Sequence, residues 1–71
     1  MSIIAVGGFG TRSFSDTLLR MKEVHGAVVV AVSDERGELH INPATDFEVS
    51  PGSHLYYVGA ERIAESALVW N

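Results

Sequence analysis

Cysteine is absent from this 71-residue chain, which removes disulfides and thiolate-bound metal as ways of holding a small fold together. Positive charge is scarce as well. Arg12, Arg20, Lys22, Arg36 and Arg62 are scattered against nine acids, for a net charge of −4. Nucleic acid is bound by clustered cations that displace counterions, so DNA and RNA are not expected partners, nor is an anionic membrane surface. Long apolar runs are missing too. The longest, Ala27 to Val32, is far short of the roughly 20 residues of a membrane helix. No basic segment precedes a secretory apolar core, so the expectation is a soluble, cytosolic protein.

What is present is apolar. Hydrophobic residues make up 46% of the chain, too many for a disordered segment. A chain of this length forms one domain, spanning residues 1–71, and buries only about 60% of its unfolded surface. Oligomerisation or docking is then the remaining way to cover leftover apolar area, since small cores lean on partners, metals or disulfides.

The pattern along the chain predicts an α+β domain: a small mixed or antiparallel sheet of four to five short strands, a helix after the first strand and a second helix at the C-terminus. Ile3 to Val6 is a β-branched run stopped by Gly7-Gly8, as a first strand would be. Ser13-Phe14-Ser15-Asp16 suits a helix start, Phe14, Leu18, Met21 and Val24 recur at helical spacing, and Gly26 suits the stop. Ala27 to Val32 reads as a central strand covered on both faces. A polar turn with Gly37 in a left-handed position leads to a return strand, Glu38 to Ile41, in which Leu39 and Ile41 face one way and Glu38 and His40 the other. Phe47 and Val49 form a short strand joined to His54–Val58 through the Ser50-Pro51-Gly52-Ser53 turn, a hairpin-like return. Of Tyr56 and Tyr57 one belongs to the core and the other to the opposite side. Ile63, Ala64, Ala67 and Leu68 share a side of the closing helix, with Glu61 near its start and Trp70 packed against a neighbour.

Two groups of residues invite chemistry. The loop Gly7 to Ser13, between a strand and a helix, imitates a dinucleotide fingerprint through Gly8 and Gly10, but Ser13 stands where the third glycine belongs. A small nucleotide-binding module using Gly8, Gly10 and Ser13 is therefore an alternative reading. Glu38 and His40 lie two apart on one strand face and are the candidate metal ligands, with Asp34 and Glu35 adding acids nearby. His25, His40 and His54 match no closed zinc spacing. No nucleophile elbow or spaced triad is present, so the chain reads as a non-enzyme, and no residue names a cofactor.

Taken together, Thr17-Leu18, Gly26 with the Ala27 to Val32 strand, Gly37-Glu38, Asn42-Pro43 with Asp46-Phe47, and Gly52 through Gly59 resemble the C-terminal lobe of regulator of potassium conductance domains, also called the TrkA C-terminal domain. The resemblance runs from about Ile3 to Ala64. Its most specific part is the ending Gly-Asp-x-Leu-Tyr-Val-x-Gly, matched by Gly52-Ser53-His54-Leu55-Tyr56-Tyr57-Val58-Gly59 with Ser53 in place of the acid. The first loop, Gly7-Gly8-Phe9-Gly10, departs from the proline-containing segment common in the family. The resemblance implies a cytosolic regulatory lobe of a potassium channel or uptake transporter, placed at the membrane by its parent protein. It further implies a homodimer, a neighbouring nucleotide-binding lobe and pore, and response to a small effector such as an ion or nucleotide.

Overall fold

In chain order the computed structural model places β1 at Ser2–Ala5, β2 at Arg12–Ser13, α1 at Phe14–His25, β3 at Val28–Ser33, β4 at Leu39–Ile41, β5 at Glu48–Val49 and β6 at His54–Val58. It describes residues 1–7 and 10–64. Four strands form one sheet in the order β1-β6-β3-β4, with every neighbour antiparallel. β2 and β5 form a separate two-stranded antiparallel pair. With one helix after the first strand, the architecture is α+β.

The helix begins and ends where its cap residues stand. Ser13 is extended and its Oγ accepts the Asp16 amide at 3.1 Å, which satisfies one of the donors that a helix start leaves open. Gly26 takes a left-handed φ of 63° and donates to the Lys22 carbonyl at 3.0 Å. The Ala27 amide then reaches back to Met21, and the chain leaves for β3. Phe14, Thr17 and Met21 are the buried positions of α1. Val24, expected on that face, is 60% exposed. Thr17 is fully buried although it is polar; its hydroxyl donates to the Ser13 carbonyl at 2.9 Å, so no unmet donor enters the core.

The core lies between α1 and one face of the sheet. Ile4, Val29, Val32, Leu55 and Tyr57 project from the strands, Phe14 and Met21 come down from α1, and Val49 closes one side from β5, with Leu18, Phe47 and Ile63 packed around them. Full burial of one such aliphatic side chain is worth about 1.5–3 kcal/mol. Tyr57 is the core tyrosine, and its hydroxyl accepts the Ile63 amide at 2.8 Å, which ties the segment after β6 to the core.

Two expectations change. The Ser50–Ser53 turn is present, with the Ser53 amide donating to Ser50 and Gly52 at φ 92°, but it does not close a hairpin. β6 inserts between β1 and β3, so both its edges are occupied, and β5 pairs with β2 instead. Both sides of β3 carry buried residues, Val29 and Val32 toward α1 and Ala31 and Ser33 on the other side, while Val28 at its start is 42% exposed. Finally, Glu61 to Ala64 are not helical; the rest of the expected closing helix, including Ala67, Leu68 and Trp70, lies outside the described residues.

A bulge in β3 sets the sidedness of the sheet. Val29 pairs with Tyr57 and Ala31 with Tyr56, leaving Val30 as the extra residue. An inserted residue reverses the side-chain phase beyond it. Val32 then faces the core opposite Leu55, and His40, its partner on β4, faces inward with it.

Candidate functional site

The β3–β4 connection is organised by one carboxylate. Asp34 Oδ1 accepts the amides of Arg36 at 3.0 Å and Glu38 at 2.9 Å, while Oδ2 lies 3.1 Å from His40 Nε2. The Asp34 backbone completes the turn, its amide donating to Glu38 and its carbonyl accepting from Gly37. These contacts hold the Asp34 carboxyl below its ordinary value: the His40 hydrogen bond is the largest cause, followed by the Glu38 amide, with slight burial acting the other way. His40 also lies against Phe47, ring centroids 4.6 Å apart. The imidazole is therefore held from two sides.

Glu38 and His40, the candidate metal ligands, do come together, and Asp34 joins them with ligand atoms within 4.8 Å of one another. Two carboxylates and an imidazole suit a hard or borderline divalent cation. Yet both Asp34 oxygens already serve the turn and His40, so the cluster has a complete structural explanation as a hairpin clamp. Glu35 is not part of it. Its Cβ lies 3.4 Å from the position a Cβ on Gly52 would take, which brings the hairpin and the Ser50–Ser53 turn together. The importance of Asp34 has a sequence signal in an Asp three residues before a glycine, the spacing of a turn closed by a side chain.

At the glycine loop, Gly8 lies outside the described residues, and Gly10 is exposed with φ 92°. Ser13 is committed to α1 through both its hydroxyl and its carbonyl. A phosphate at a helix start is held by free amides. Here the Phe14 amide donates to Phe47 at 2.7 Å, that of Ser15 to Thr45 at 3.0 Å and that of Asp16 to Ser13. None of these three is left for a ligand.

The second feature of functional interest is the sheet face turned away from α1. One row across it reads Ile3, Tyr56, Ala31, Ile41; the next reads Ala5, His54, Ser33, Leu39; Val58 and Val28 lie beside each other at the far end. Ile3 and Leu39 are each half exposed and Ile41 is 75% exposed. Leu39 and Ile41 thus take the open side while His40 takes the core side, because of the β3 bulge. No Asp, Glu, Lys or Arg stands in these rows. Four strands at about 4.8 Å spacing and about four residues of 3.4 Å rise give a face of roughly 270 Å² in projection. A patch of this size is no larger than the largest apolar patch of an ordinary small monomer, about 300–600 Å².

Among the described residues no helix is long and apolar enough to cross a membrane. No family model matches the chain, and neither a curated protein nor a solved structure shows significant similarity to it.

Proposed function

We propose that this chain is a cytoplasmic regulatory lobe of a potassium channel or potassium uptake transporter, and that it works as a homodimer joined through the open face of its sheet. The reading of class rests on the residue pattern from Ile3 to Ala64 that resembles the C-terminal lobe of regulator of potassium conductance domains. The observation that carries the assembly is the uncharged apolar sheet face, in a molecule whose net charge of −4 resides elsewhere. A second copy is the partner that fits it. Two identical faces without charge do not repel locally, and sheets of the same twist stack at about −30° with their side chains interdigitating. An anionic lipid surface would meet an acidic molecule and be disfavoured.

The face covers about a third of the roughly 800 Å² per partner of a standard stable interface. The pair is accordingly weak and concentration-dependent by itself, and a lobe of this kind suits a role in which a parent protein raises the local concentration and an effector tips the balance. Potassium or rubidium uptake in cells carrying the wild-type gene and in cells carrying Ile41→Lys tests the function. Altered uptake with unchanged protein level is expected. Identical uptake, alongside demonstrated loss of pairing in vitro, would remove the potassium assignment and leave the assembly surface standing.

A further inference from the structure

We draw no further inference here: the strongest candidate, the apolar groove between α1 and the start of β3 lined by Leu18, Leu19, Lys22, Ala27 and Val28, is an unpartnered surface, and nothing in the structure shows what covers it.

Discussion

Ile41→Lys separates the two faces of the sheet. Ile41 is 75% exposed on β4, an edge strand, and it shares a row with Ile3, Tyr56 and Ala31. Exposed substitutions of this kind change folding stability by about 0.5 kcal/mol, and by at most about 1 kcal/mol where a β-branched residue is lost from a strand. Pairing is a different matter. Complete burial of an isoleucine side chain is worth about 1.5–3 kcal/mol, and three quarters of the side chain remains to be covered. Each copy then contributes about 1–2 kcal/mol and the pair about 2–4 kcal/mol, a factor of roughly 30 to several hundred in the dissociation constant. Lysine adds the cost of placing an ammonium in that apolar row. The contrasting variant is Leu55→Ala, on the buried side, where about 2–5 kcal/mol of folding stability is at stake. Urea unfolding of dilute protein reads folding, and sedimentation equilibrium reads association. Should Ile41→Lys lower the urea midpoint as far as Leu55→Ala does, Ile41 belongs to the monomer core and the sidedness derived from the β3 bulge is wrong. Unaltered association would show that the pairing surface lies elsewhere.

Three further outcomes are expected. Ser13→Ala removes the acceptor for the Asp16 amide and should cost about 1 kcal/mol in urea unfolding, with Ser13→Asn close to wild type; a neutral Ser13→Ala would mean that the cap adds nothing. Gly52 holds φ 92° in the turn whose Ser53 amide bonds Ser50, so Gly52→Val should cost about 1–2 kcal/mol or more through backbone strain, and an unchanged melting profile would contradict that. Asp34 is held below its ordinary value by His40 and by the Glu38 and Arg36 amides. The unfolded chain therefore takes up this proton first as acid is added. The contribution is present above about pH 4 and is lost as pH falls through the lowered value. Asp34→Asn should flatten the acid side of the stability profile in that window, and an unaltered acid limb would locate the titration in another carboxylate.

Much of the local structure could be read from short stretches. Ser13 and Gly26 bound α1, Gly37 and Gly52 take the positive φ that their turns require, and the alternation of His54–Val58 correctly divides Tyr56 from Tyr57. The candidate cluster was legible in part: Glu38 and His40 share a face as their spacing requires, while the governing role of Asp34 depends on the tight turn that points its carboxylate at two amides and a ring. Val24 has the helical spacing of the buried positions and is nevertheless exposed, because spacing marks a face and not the burial of each residue on it.

The residue order by itself determined what short-range physics decides: which segments extend, which coil, where caps and turns interrupt them, and that no thiol was available for a disulfide. Tertiary structure alone decided the pairing of β5 with β2, the insertion of β6 between β1 and β3, and which face remained open. Ala27 to Val32 is apolar at every position, so it carries no alternation from which a phase can be read, and one extra residue, Val30, reverses the sidedness of the rest of the strand. That reversal turned His40 inward and Ile41 outward. Local propensities cannot contain it, because a bulge exists only relative to the strand beside it.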